Sequence, residues 1–325
     1  MIFITEIGTS LRVATSAGYD SVALTVSVNN TPIVSGMTSR IVNGYFEFFG
    51  LEAVIRSYMQ LNNLTVLSIT SSYATMTGTT AATVTGPSLS ILYCEKEMLA
   101  GSTFTADYLV SNYFLTHYKV GWICRGCQFS LSYYVTSMTN ITKTTYKKDG
   151  TSTTSGTRTS GLGYYTISWE DDVAYVTVSM GSRNYTVYFI DKPAGEQLRF
   201  KNTFNRWENV SFPASTDVKP STEYETASLE NVSVMYDIEH KLELEIKTAA
   251  IPGLMYECLN DLCHAHSVQR REEMAWESGT VISWRDVLIT KYKLDKSTNP
   301  NTPLTMELTL EYANRKLNDA IVIHG

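Results

Sequence analysis

Val173-Ala-Tyr-Val-Thr-Val-Ser-Met180, then Gly181-Ser-Arg-Asn184, then Tyr185-Thr-Val-Tyr-Phe-Ile190 decide the fold class. The outer runs alternate as strands do, and the four residues between them are a short loop suited to a hairpin. Upstream, Tyr164–Trp169 reads as another strand, set off by Glu170-Asp-Asp172. The result is a meander. Leu131 through Tyr146 extends it as a further strand. Lys147 to Gly163, rich in Ser, Thr and Gly, is expected to be an exposed flexible loop because it cannot bury a core. Such tips are where recognition is usually placed.

Strand patterning continues on both sides. In Ser21–Val28, residues Val22, Leu24, Val26 and Val28 share one face, and Asn29-Asn-Thr-Pro32 is a turn signal. Gly44–Phe49 and Leu64–Ile69 read as strands around a short amphipathic helix carrying Leu51, Val54, Ile55 and Tyr58. Asp191-Lys-Pro-Ala-Gly195 marks a boundary. Beyond it, strands are expected at Ala227–Met235, Lys241–Thr248, Asp286–Leu294 and Leu304–Tyr312, with a hairpin loop over Lys296–Pro303. A helix over 254–266 carries Leu254, Cys258, Leu259, Leu262 and Ala265. The expected fold is all-β dominated, with tandem β-sandwich-like domains at 1–68, 69–195 and 196–325. The first and last hold one short helix each.

Composition agrees with this and excludes some functions. A chain of 325 residues is long enough for two or three domains. At 43% hydrophobic and 18% charged it is a folded globular chain, rich in strand-favouring Thr, Tyr and Val. Residues 1–195 carry 12 basic and 12 acidic side chains, and residues 196–325 carry 14 and 20, so the net charge of −6 lies in the last domain. A nucleic-acid partner calls for a basic stripe, and none is present. Met1-Ile-Phe-Ile-Thr-Glu6 reads as a first strand and not as a signal peptide. No run reaches the roughly 18–20 apolar residues that span a bilayer. Synthesis and assembly in a cytoplasm are expected, with no membrane span.

Candidate chemistry is sparse. Cys124-Arg-Gly-Cys127 is a CxxC, and Cys258 and Cys263 lie near His264 and His266, so a zinc site across the four cysteines is conceivable. An i,i+5 pair on a helix points about 140° apart, however, and buried free thiols are common, so the structural reading is favoured. Glu170, Asp171 and Asp172 offer the carboxylates of a glycosidase or a calcium site, but a turn between strands explains them with less. Cys127 with a distant histidine is a nucleophile–base pair that nothing in the sequence brings together. There is no GxSxG, HExxH or phosphate-loop motif. Neither enzyme activity nor a cofactor is expected. The middle domain instead concentrates aromatics, including Tyr133, Tyr134, Tyr146, Tyr164 and Tyr188. Of its rings, Tyr165, Trp169, Tyr175 and Tyr185 are the candidate surface for a glycan or another partner. The plainer alternative is cross-strand pairs that stiffen a sheet.

Leu198-Arg-Phe-Lys-Asn-Thr-Phe-Asn-Arg-Trp-Glu208, Lys241–Thr248, Asp286-Val-Leu-Ile-Thr290 and Leu308–Arg315 together resemble the end of minor structural proteins in tailed phages of gut bacteria. Gly44–Tyr58 and Phe114–Cys127 look like further elements of the same proteins, although Cys124 and Cys127 depart from the pattern. Ala313-Asn-Arg-Lys-Leu-Asn318 lacks that pattern's closing proline. The resemblance implies a virion component of the tail tip or baseplate, similar in role to distal tail proteins. Its implied partners are other tail proteins, copies of itself in a ring and a host surface glycan. It carries over no catalytic residue. The alternative reading is a carbohydrate-binding or cell-surface adhesion module.

Overall fold

The alternation that marks Ser21–Val28 becomes a strand with Val22, Leu24 and Val26 buried on one face. The computed structural model describes residues 1–95, 105–116, 118–181, 183–229, 232–276, 279–295 and 302–313; over 221–241 and 274–281 it describes the backbone alone. The chain is mostly β: among the described residues there are 63% strand, 15% helix and four sheets. It divides into two compact units.

Unit 1 comprises Met1–Leu115 together with Thr203–Arg206. Its strands are β1 (Ile2–Phe3), β2 (Val13–Ala14), β3 (Ser21–Val28), β4 (Thr31–Thr38), β5 (Arg40–Val42), β6 (Tyr45–Glu47), β7 (Val66–Thr77) and β8 (Thr80–Leu92). Its helices are α1 (Ile7–Leu11), α2 (Leu51–Leu61) and α3 (Ala106–Asn112). The main sheet runs β1-β8-β7-β3-β4, and β2-β6-β5 form a small second sheet. Asn29 and Asn30, both at positive φ, make the two-residue turn from β3 to β4, a conformation asparagine tolerates. Helix α2 covers the main sheet with Leu51, Ile55 and Met59. Of the expected stripe, Val54 faces solvent instead, because the i, i+4, i+8 row is the one turned to the core. Thr105 caps α3, its hydroxyl accepting from the Tyr108 N–H. The expected boundary at 68/69 falls inside β7.

Unit 2 comprises Thr116–Asn202 and Trp207–Gly325. One sheet has the order β11-β10-β12-β13-β9, from β9 (Val120–Arg125), β10 (Gln128–Lys147), β11 (Ser152–Ser168), β12 (Val173–Met180) and β13 (Arg183–Pro193). The other has the order β15-β14-β18-β19-β20-β17-β16. It is built from β14 (Glu196–Lys201), β15 (Trp207–Phe212), β16 (Ala214–Leu229), β17 (Val232–Thr248), β18 (Val268–Trp276), β19 (Gly279–Leu294) and β20 (Met306–Tyr312). Helix α4 (Tyr256–His264) buries Cys258, Leu259 and Leu262. The two sheets meet where Trp122 of β9 packs on Phe212 of β15, with ring centroids 5.8 Å apart and the Trp122 indole N–H donating to the Ser211 carbonyl.

Two expectations are corrected here. The tract from Lys147 to Gly163 is mostly strand: β11 begins at Ser152 and pairs with β10 over Ser152–Thr159 and, past a register shift, from Gly161 onward, leaving a tight turn at its tip. A strand needs backbone partners and not a buried face, and threonine-rich backbone fits a ladder well. The expected strand Ala227–Met235 is divided, with β16 ending at Leu229 and β17 starting at Val232. Leu229 and Val232 are antiparallel partners, so the chain doubles back where a single strand was expected. Most of the hairpin loop expected at 296–303 lies outside the described residues, although β19 and β20 do pair antiparallel.

Candidate functional site

Tyrosines from three neighbouring strands fall into one row. Register sets Tyr146 of β10 beside Tyr175 of β12, and Tyr175 beside Tyr188 of β13. The first pair is stacked, with centroids 4.4 Å apart and planes 16° from parallel; the second is tilted at 5.8 Å. Tyr188 is 42% exposed. The row follows from alternation: Val176, Val178, Tyr185, Val187 and Phe189 take the inner face, which puts the tyrosines on the outer one.

The four expected surface aromatics therefore divide. Tyr175 is in the row. Tyr165 is half-buried on β11. Trp169 lies against Phe189 with centroids 5.3 Å apart, and its indole N–H donates to Asp171 Oδ1 at 3.2 Å. Tyr185 is a correction. It is 3% exposed, its hydroxyl donating to the Val120 carbonyl at 3.0 Å, because it shares the inner parity of Val187. Tyr188, outside the expected set of four, takes its place. The available signal is its parity with Thr186 and Ile190, opposite to that of Tyr185.

The cysteines do not form a common site. Among the described residues no group of three or more His, Cys, Asp or Glu side chains could hold a metal ion, so the set Cys124, Cys127, Cys258 and Cys263 is a correction too. Cys124 and Cys127 are buried beside Ser211 and Gln197: the Cys124 backbone N–H donates to Ser211 Oγ, and Gln197 Nε2 donates to Cys127 Sγ at 2.9 Å. Burial pushes the Cys124 thiol up to about 11 and that of Cys263 to about 12, the opposite of an activated nucleophile. His117 lies outside the described residues.

The three adjacent acids are each engaged at a turn. Lys147 Nζ lies 2.6 Å from Asp172, Lys143 Nζ lies 3.5 Å from Glu170, and Asp171 accepts from Trp169.

The segment Leu198–Glu208 is a hairpin whose residues carry distinct packing tasks. Phe200 and Phe204 are buried. Arg199 lies between Trp207 and Trp284, its guanidinium carbon 4.7 and 4.5 Å from the two rings, while Nε donates to Gln269 at 2.6 Å. Within unit 1, Asn205 Nδ2 donates to the carbonyls of Met59 and Leu64. Glu208 is buried and accepts from Asn202 Nδ2 at 3.0 Å and from Thr116 Oγ1 at 3.1 Å. Burial pushes its carboxyl up to about 7 against those hydrogen bonds.

These features define a mostly β protein whose distinctive surfaces are an outward row of tyrosines and long exposed strands. No protein-family model matches the chain, and no curated protein matches it.

Proposed function

We propose that the chain is a structural protein of a virion, part of a phage tail tip or baseplate, that acts through subunit contacts and not through catalysis. The observation that carries this is the long, exposed edge strand β11. From Ser152 to Gly163 nearly every β11 side chain is exposed. Ordering backbone costs roughly 1–2 kcal/mol per residue, and an edge strand that buries so few of its side chains in its own chain recovers that cost poorly. Contacts with neighbours recover it. The resemblance of Leu198–Glu208 to phage minor structural proteins supports the same reading. Its partners are other tail proteins and copies of the chain in a ring, assembled in the host cytoplasm without nucleic acid or cofactor. Mass spectrometry of purified particles tests it: peptides of this chain should be present at a fixed ratio to other tail proteins, and their absence would end the proposal.

A second reading is a glycan-binding surface, favoured by the row Tyr146, Tyr175 and Tyr188, whose rings offer apolar faces with polar tips. Host-cell glycan binding that is unchanged in Tyr188→Ala and Tyr175→Ala would remove it.

A further inference from the structure

Outer strands present unpaired N–H and C=O groups, and proteins usually blunt them with proline, charge or shortness. Among the described strands that end a sheet, all but one are blunted in one of these ways or are short and buried. Strand β4 carries Pro32, β16 carries Pro220, and β8 carries Pro87 along the length that β1 leaves free. Strands β2 and β5 have only two and three residues. Strands β9 and β15 have six residues each and are largely buried. Strand β11 has 17 residues, ends its sheet and contains no proline. Over Ser152–Gly163 its only charged residue is Arg158.

The register identifies which of its groups are free. At the tip, the Lys147 N–H donates to the Thr151 carbonyl at 2.9 Å and the Gly150 N–H to the Lys147 carbonyl at 3.1 Å, with Gly150 at φ +86°. Counting outward from that bonded pair, hydrogen-bonded and non-bonded pairs alternate. Thr153, Ser155 and Thr157 thus bond to β10, and Ser152, Thr154, Gly156 and Arg158 direct their N–H and C=O away from it. The hydroxyls of Thr144 and Thr154, 3.2 Å apart, fit the closer side-chain spacing of a non-bonded pair. Among the described residues no backbone group bonds to that outer side.

We propose that two copies of this chain pair antiparallel along these β11 edges, joining two five-stranded sheets into one. The edge is complementary to itself. A two-fold axis at Ser155 sets Ser152 opposite Arg158 and Thr154 opposite Gly156, and uses all four outward residues of each copy. Each such pair exchanges two backbone hydrogen bonds. In this register neither Arg158 faces the other, and the facing side chains are otherwise uncharged and small, so little opposes approach. The contact deepens the subunit-contact reading by naming one partner surface; because a two-fold pair closes at two copies, it is separate from the repeated contact that closes a ring. It needs no other virion protein, so its failure in purified chain leaves particle composition, the test of that reading, unaffected.

Sedimentation velocity of the full chain across a concentration series tests the pairing. Wild type should convert with concentration to a species of twice the 36.3 kDa chain mass. Thr154→Pro removes an outward N–H and leaves the bonds to β10 intact, and should raise the dissociation constant about tenfold or more. Ser155→Cys supplies a measurement that does not depend on how the proline is tolerated. Facing non-bonded residues sit about 4.5 Å apart at Cα, within disulfide range. Mild copper-catalysed air oxidation should therefore cross-link Ser155→Cys chains, but neither wild type nor Thr157→Cys. A monomer at every concentration, or a Ser155→Cys yield no higher than wild type, overturns the pairing.

Discussion

Arg270 holds Glu196 in a two-pronged contact, Nε to Oε2 at 2.8 Å and Nη2 to Oε1 at 2.6 Å, with the Glu196 carboxylate buried. Glu196 lies on β14 and Arg270 on β18, so the pair joins neighbouring strands. Thr216 of β16 donates to the same carboxylate at 2.5 Å, and the Arg270 Nη1 donates to the Tyr312 hydroxyl of β20 at 3.0 Å. Glu272 extends the network to Arg285 at 2.6 Å.

Arg270→Ala leaves Glu196 buried without its cation and should cost about 3–5 kcal/mol of stability. Replacing both partners, Glu196→Leu with Arg270→Met, should recover most of that loss, because two charges no longer need desolvating. Urea unfolding of the three proteins measures it. A double variant as unstable as Arg270→Ala would show that the pair is not the source.

Glu208 gives a pH dependence with a defined sign. Burial lifts its carboxyl from 4.5 to about 7, so between those values the folded chain binds more protons than the unfolded one. The stability this contributes is full below the unfolded value and is lost as pH rises through about 7. Its size is on the order of 3 kcal/mol. Glu208→Gln, neutral at every pH, should lack the decline and be the more stable protein at pH 8. The wild type–variant difference in urea midpoint from pH 4 to 8 isolates this from exposed carboxylates such as Asp172 and Asp191, which ion pairs shift downward. A difference that stays constant with pH contradicts the assignment.

Gly195 is required by close approach. A Cβ there would lie 1.9 Å from the Ala214 carbonyl oxygen, a backbone atom that no rotamer change can move. Gly195→Ala should destabilise by roughly 1–3 kcal/mol. Gly8, inside α1 with open space around it, should give the opposite result, a gain of about 0.5–1 kcal/mol on substitution by alanine. Thermal melts of the two variants separate the cases.

The stacked pair Tyr146 and Tyr175 should couple energetically by about 0.5–1.5 kcal/mol in a double-mutant cycle to alanine. Additive single effects would mean that the rings are near one another without stabilising the sheet.

Strands with one buried face are legible in the sequence. Val22, Leu24 and Val26 announce β3, and the run Val173–Met180 matches β12 to the residue. The start of β11 is not legible, because apolar alternation reports a core and Ser152–Gly163 faces none; its threonines and the turn at Asp149-Gly150 are the available signals. Tyr185 escapes a reading by composition, which does not say which parity of a strand faces inward; its neighbours Val187 and Phe189 settle that. Glu196 and Arg270 lie 74 residues apart, and only strand order brings them together. Likewise, the spacing of Cys124, Cys127, Cys258 and Cys263 suggests a cluster that the topology does not assemble.

Hydrogen exchange at Ser152–Gly163, compared between purified chain held dilute and intact particles, tests most directly whether the exposed edge strand exists for neighbours. Slowed exchange at Ser152, Thr154 and Arg158 in the particle is the expected result. Equal, fast exchange in both states would mean that nothing docks on β11, and would contradict the account.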